Sequence, residues 1–335
     1  MSLTRCTKCV MAATRPDTAF VGGVCSACIN HEKRKAIDWD ARRSELRALL
    51  DRNDGRCVVA SSGGKDSTFI AVTLLEMGVD VLVATGATDM LTPIGRRNID
   101  NLRRLAPTVE VAPATSARMK VARHGLRAVG DLSFGEHLVV WAVPIRVAVA
   151  ERRRLVFYGE EPQVAYGGPA DYEERGTMSR EWTAEFGCLN GMRVRDLVGV
   201  EGLRERDLEL FSFPPEEDVR RVGVEAHFLG YYVGPWDPHH NAAVAEARGF
   251  EVYREDGRPA PPCRANIWSA ENLDNYLTGA RDHAKFLKYG FGRGTDRCSL
   301  DIRRGRRTRE EAVAVARKYD SRYPDEYMGV PLDSV

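Results

Sequence analysis

The sequence predicts an α/β fold: a doubly wound, mostly parallel sheet, with a cysteine knuckle ahead of it and a helical region behind. Three observations predict it. Apolar β-rich runs alternate with helix-like stretches through the middle of the chain. One run, Cys57-Val58-Val59-Ala60, leads to Ser62-Gly63-Gly64-Lys65-Asp66-Ser67 and then to a helix-like Thr68–Glu76 that stops at Gly78. Four of the eight cysteines fall within the first 28 residues.

The elements follow in order. Cys6-x2-Cys9 and Cys25-x2-Cys28 are separated by fifteen residues, the four-thiolate spacing of a closed structural zinc site. An iron–sulfur centre or free thiols would use the same pattern, and His31 stands near enough in sequence to substitute as a ligand. Residues 1–35 are read as this knuckle. The charged stretch 32–52 reads as a helix with Ile37, Trp39, Leu46, Leu49 and Leu50 as its apolar stripe, leading into a domain over 36–240.

The Ser62–Ser67 stretch carries the chemistry. Strand, glycine turn and helix start together bind anions, because glycine lets the backbone approach and the first helical N–H groups point at the ligand. Lys65 adds a charge, and Ser62 and Ser67 add hydroxyls. Asp66 suits a phosphate-bound magnesium ion. The stretch is not a Walker A loop, since Val59 replaces its first glycine and Asp66 stands where Ser or Thr should be.

Further along, strands are expected over Val79–Thr85, Thr108–Val111, Leu155–Tyr158 and Val224–Val233. Helices are expected over Arg96–Leu105, Ser116–Val129 and Glu136–Arg153, the last bent at Pro144. In such a sheet, ligands sit at the carboxyl ends of the strands, which points to 61–67, 84–89 with Thr85, and 159–168 with Gly159, Glu160 and Gln163. Glu160 reads equally as a helix cap or as a site carboxylate. Residues 166–218 look like an insertion of the kind that forms lids. From 241 to 335 the chain reads as helical and basic, with helices near Asn241–Arg248, Ala270–Phe286 and Thr308–Lys318. Thirteen Lys/Arg against six Asp/Glu between 281 and 322, around a glycine-rich loop at Gly290-Phe-Gly-Arg293-Gly-Thr-Asp296, make Arg293 and Arg303 candidate anion ligands. His239 and His240 follow a turn and offer a base or a solvated pair.

Composition bounds the class. With 43% hydrophobic and 29% charged residues and a net charge of +1, the chain has no global pull toward nucleic acid or an anionic membrane. Leu138–Ala150 is too interrupted to span a bilayer, and Arg5 and Lys8 break any signal-peptide core. A cytoplasmic location is expected.

Taken together these motifs resemble the N-acetyl sugar amidotransferases of the PP-loop ATP pyrophosphatase superfamily. The resemblance is carried by Cys6-Thr-Lys-Cys9-Val-Met, Gly23-Val-Cys25-Ser-Ala-Cys28, Ile37-Asp-Trp39, Ser62–Ser67, Gly95-Arg-Arg-Asn98 and Pro144-Ile-Arg146. It continues through Tyr158-Gly-Glu160-Glu-Pro162-Gln163, Tyr166-Gly-Gly168, Trp236-Asp237, Lys288-Tyr-Gly-Phe-Gly-Arg293, Ser299-Leu-Asp301-Ile-Arg and Thr308-Arg-Glu-Glu311. It departs at Ser133-Phe-Gly-Glu136, where many relatives carry cysteines, and at Cys298. The resemblance implies cleavage of ATP to AMP and pyrophosphate, with Mg²⁺ on Asp66, structural zinc, and the PP-loop residues with Thr85 and Gly159 around ATP. Lys65, Asp66 and Glu160 become the catalytic candidates, and Gln163, Arg293 and Arg303 the substrate or phosphate candidates. It further implies a small-molecule acceptor, a sugar or sugar nucleotide, whose acetamido group becomes an amidine. No glutaminase nucleophile is visible, Ser2 standing where one is sought, so a separate glutaminase partner is expected to supply ammonia. Homo-oligomer formation stays open. A PP-loop sulfur transferase is the first alternative, but Cys57, Cys188, Cys263 and Cys298 are scattered singly. A zinc-ribbon nucleic-acid binder is the second, resting on the basic tail.

Overall fold

The computed structural model describes residues 3–88, 90–159, 162–169, 174–189 and 191–334. A two-residue hairpin, β1 (Phe20–Val21) and β2 (Val24–Cys25), turns on Gly22 and Gly23, both at positive φ. Helix α1 (Ser26–Lys33) carries the last knuckle cysteine. α2 (Trp39–Asp51) starts where the Asp38 carboxylate accepts from the N–H groups of Asp40 and Ala41.

The central sheet has five parallel strands. They are β3 (Arg56–Ser61), β4 (Asp80–Gly86), β5 (Thr108–Val111), β6 (Leu155–Tyr158) and β7 (Glu225–Phe228), in the order β5-β4-β3-β6-β7. The chain winds outward from β3 to β5, then returns to the other side of β3 for β6 and β7. The switch point of the sheet therefore lies at the carboxyl end of β3, where the glycine turn begins.

Connections are helical: α3 (Lys65–Glu76), α4 (Pro93–Arg103), α5 (Thr115–Val129), α6 (Phe134–Ala150), α7 (Pro162–Tyr166), α8 (Arg180–Phe186), α9 (Glu216–Val222), α10 (Leu229–Tyr232) and α11 (Pro238–Glu246). Beyond these come α12 (Thr278–Tyr289), α13 (Arg293–Arg303) and α14 (Arg309–Tyr319). β3 is buried on both faces, as a central parallel strand must be. Cys57 and Val59 pack with Phe69 and Ile70 of α3 and Leu46 and Leu49 of α2. Val58 and Ala60 pack with α6 and with Trp182 and Phe211 of the 166–218 region. Among the described residues no helix is long and apolar enough to cross a membrane.

Four expectations change. The last strand stops at Phe228, level with the end of its neighbour β6 at Tyr158, and turns into α10. The single helix expected over 32–52 is two, broken by an extended Ile37 and the Asp38 cap. The helix expected from Ala270 begins only at Thr278. Asn275 instead spends its side-chain oxygen on the Leu277 N–H, and Asn272 adopts a positive φ. The glycine-rich 290–294 stretch conceals α13: Gly290 ends α12 at φ 73°, but Gly294 is inside the next helix, where a Cβ would meet Asp320 Oδ1 at 2.8 Å.

Candidate functional site

Ser61 closes β3 and organises the turn that follows. Its hydroxyl accepts from the Gly63 N–H at 2.9 Å and donates to Ser67 Oγ at 2.8 Å, and Ser67 in turn donates to Gly64 O at 3.0 Å. Ser67 thus holds the loop shut as well as standing at the helix start. Gly63 has φ +79°, and a Cβ there would lie 2.6 Å from Ile99 Cγ1 of α4. No side chain caps α3, so its first N–H groups are available to an anion. Gly63→Ala is expected to cost about 2 kcal/mol or more, seen as a fall in Tm of about 4 °C in a thermal melt.

This turn forms the floor of a cleft of about 890 Å³. Ser62–Ser67, Gly159, Tyr158 and Trp141 line it from the sheet side, and Asn272, Leu273 and Asp274 line it from the C-terminal region. Lys65 is 7% exposed and pairs with Asp66 Oδ2 at 2.9 Å, its ammonium 5.1 Å from the centre of the Trp268 ring. Asn241 of α11 donates to the other Asp66 oxygen at 2.9 Å. The Asp66 side chain remains 38% exposed, so its carboxylate retains lone pairs facing solvent and fits a magnesium ligand.

Two further carboxylates approach from 270–274. Burial opposes the charge on Glu271, but Lys65, Arg297 and Arg293 outweigh it and hold the group at about 2. Asp274 is pushed up by burial, partly offset by the positive charges of Arg281 and Lys65.

Other sequence candidates fall elsewhere. Arg293 does not line the cleft; its guanidinium donates to both Asp282 oxygens at 2.9 and 2.7 Å and lies 3.7 Å from Glu271. Arg303 points at the knuckle, donating to Ala165 O at 2.6 Å and approaching Cys9 Sγ at 3.9 Å. Gln163 lines a separate cavity with Arg15, Asp131 and Lys285. Thr85 is buried on β4 beside Ser61, with its hydroxyl unpartnered. His239 stacks on Trp268 at 4.6 Å and faces Asp301 at 3.3 Å, while His240 packs against Phe69. Glu160 lies outside the described residues. Sequence reasoning placed Ser61 within the 61–67 span without a role, and missed Asn241, Glu271 and Asp274. The polar run Glu271-Asn272-Leu273-Asp274-Asn275, poor in helix formers, was the one local signal for the last two.

The knuckle brings its four thiols together, buried, with all Sγ atoms within 4.8 Å of one another. Cys9–Cys25 at 3.6 Å and Cys6–Cys28 at 4.0 Å bracket the edge of about 3.8 Å expected for a tetrahedron with Zn–S bonds of about 2.3 Å. His31 is not part of the cluster. The set fits zinc. Hydrogen bonds from Cys25 and Cys28 already draw Cys9 down to about 6. Arg303 beside Cys9, and Arg309 donating to the carbonyls of Cys6 and Cys9, supply the positive charge that a tetrathiolate needs around it. Phe291, between α12 and α13, completes the knuckle's core.

Residues 270–332 match the family model of the LPS biosynthesis protein WbpG-like C-terminal domain. A search of curated proteins finds no match.

Proposed function

We propose that this chain is a biosynthetic enzyme of sugar metabolism that adenylates an amide with ATP and installs ammonia to give an amidine. One observation carries the reading. The segment that matches the lipopolysaccharide-biosynthesis family model supplies Asn272, Leu273 and Asp274 to the wall of a cleft whose floor is Ser62–Ser67.

An amide carbonyl is a poor electrophile. Attack of its oxygen on the α-phosphate of ATP expels pyrophosphate and leaves an adenylated imidate, which ammonia converts to an amidine with release of AMP. The protein's part is to neutralise phosphate charge and hold the reactants in line. The amides of Gly63 and Gly64 and the open first turn of α3 face the polyphosphate, with Lys65 and Ser62 beside them. A magnesium ion on Asp66 would screen the charge that develops on the leaving pyrophosphate. Glu271, held ionised, fixes the Lys65 ammonium from behind. Gly159, just past the end of β6, lines the cleft without a side chain of its own.

Sulfur transfer by the same adenylation is the competing chemistry. Burial pushes the thiols of Cys57, Cys263 and Cys298 up to about 12, 11 and 12, which leaves them unionised at neutral pH and poor nucleophiles. Cys188 alone of the four is exposed, and it does not line the nucleotide cleft.

The deciding experiment is a mass screen of N-acetylated sugars and sugar nucleotides with ATP, Mg²⁺ and ammonium. An amidine lowers the acceptor mass by about one unit, O replaced by NH, and thiolation raises it by about sixteen. Ammonium is expected to support turnover and glutamine alone is not. Because neutral ammonia is the nucleophile, the rate should climb with pH toward its pKa of about 9. ADP as the sole nucleotide product would sink the reading.

A further inference from the structure

The two carboxylates that 270–274 brings to the nucleotide turn have opposite surroundings. Glu271 is enclosed by cations, Lys65 of α3 and Arg293 and Arg297 of α13, and does not line the cleft. Asp274 does line it. Ser62 of the turn lines the same cleft, and Arg281 of α12 and Lys65 of α3 are the cations acting on Asp274. The Tyr327 hydroxyl lies within its field, and burial is the dominant influence on the carboxyl, which it pushes up. Its backbone is fixed, since the Thr92 N–H donates to Asp274 O at 3.1 Å and Gly95 of α4 leaves no room for a Cβ beside Asp274 Cα. A pair of carboxylates separated in this way divides naturally into a permanent counter-charge and a proton acceptor.

We propose that Asp274 is the general base of the second half-reaction, taking a proton from the incoming nitrogen. The proposal rests on the amidotransferase reading above. In that step ammonia forms a C–N bond to the carbon of the N-protonated imidate, and the C=N π pair moves onto the acetamido nitrogen. The new nitrogen is then an ammonium and cannot expel anything. Asp274 carboxylate accepts one of its protons and becomes the carboxylic acid. The freed lone pair closes the new C=N bond as the C–O bond to AMP breaks, and that bonding pair leaves on the phosphate oxygen. The products are an amidinium, AMP and a protonated Asp274, which returns its proton to solvent. A base that lines the cleft together with Ser62 stands beside the turn that holds the phosphates, which is where this nitrogen must arrive. Burial, which favours the uncharged form of Asp274, also suits a group that must accept a proton.

The test separates the half-reactions. Wild type, Asp274→Asn and Asp274→Glu are assayed for pyrophosphate–ATP exchange without ammonia and for amidine formation with it. UDP-N-acetylglucosamine and the other N-acetylated sugar nucleotides of the screen serve as acceptors, at constant free NH₃ across pH. Asp274→Asn is expected to keep the exchange while losing amidine formation by about 10²-fold or more. Its acid limb should vanish, and Asp274→Glu should recover part of the rate. Amidine formation within about threefold of wild type, or exchange falling in step with it, overturns the proposal. Wild type showing no exchange with any acceptor counts against the amidotransferase reading instead. The base is then judged without an acceptor, by infrared difference spectra of wild type against Asp274→Asn. A protonated carboxyl band persisting above the usual carboxylate range supports it, and absence of that band overturns it.

Discussion

Cys25→Ser protein will be purified without zinc and will melt well below the wild type. The four Sγ atoms already sit at tetrahedral spacing, so one missing thiolate leaves a three-ligand site that holds the metal weakly. Zinc at such a site is folding free energy, and its loss should cost on the order of 4 kcal/mol, a drop in Tm of about 8 °C for a chain of this size. The damage should spread. Arg303 and Arg309 are placed against the knuckle's sulfur and carbonyl atoms, and Phe291 is 1% exposed in its core. Without the metal these groups lose the charge and the packing they were positioned for. About one zinc per wild-type chain by elemental analysis, and none in the variant, checks the first part. Differential scanning calorimetry checks the second, and an equal Tm for the two proteins contradicts the account.

Asp66→Asn should behave in the opposite way, folding well and turning over poorly. The side chain is 38% exposed, its ion pair to Lys65 is worth less than about 1 kcal/mol at such a position, and Asn keeps nearly the same shape. What is lost is the charge that suits magnesium. AMP formation should fall by about 10²- to 10³-fold, with Tm within about 2 °C of wild type. Raising Mg²⁺ should restore part of the rate. A variant that kept full activity would remove Asp66 from the site, and one that failed to fold would make Asp66 a structural ion-pair partner of Lys65.

How much of this could be read from the residues depends on range. Ser62–Ser67 lies on a strand-to-helix turn that is local in sequence, so its shape follows from Gly63 and from the apolar runs on either side. The cysteine knuckle is equally local. Asn241, Glu271 and Asp274 reach the turn across about two hundred residues, and nothing in their own neighbourhoods announces where β3 ends. Arg293 and Arg303 were visible as charge, but charge alone does not reveal a partner. Arg293 is held by Asp282, eleven residues away in the chain, and Arg303 by a carbonyl and a sulfur far away in it. Gly294 misled for a related reason: it reads as a loop glycine, yet it is needed for helix proximity to Asp320.

The order of synthesis gives the 270–309 stretch a further consequence. All four cysteines lie within one short stretch, Cys6 to Cys28, so the thiols can gather as soon as that stretch is made. The phenyl ring that fills the knuckle and the arginines that balance its charge are translated some 260 residues later, as part of the same segment that walls the cleft. The four thiols are therefore made long before the wall of the cleft. The knuckle's core and the cleft are completed by the same late segment.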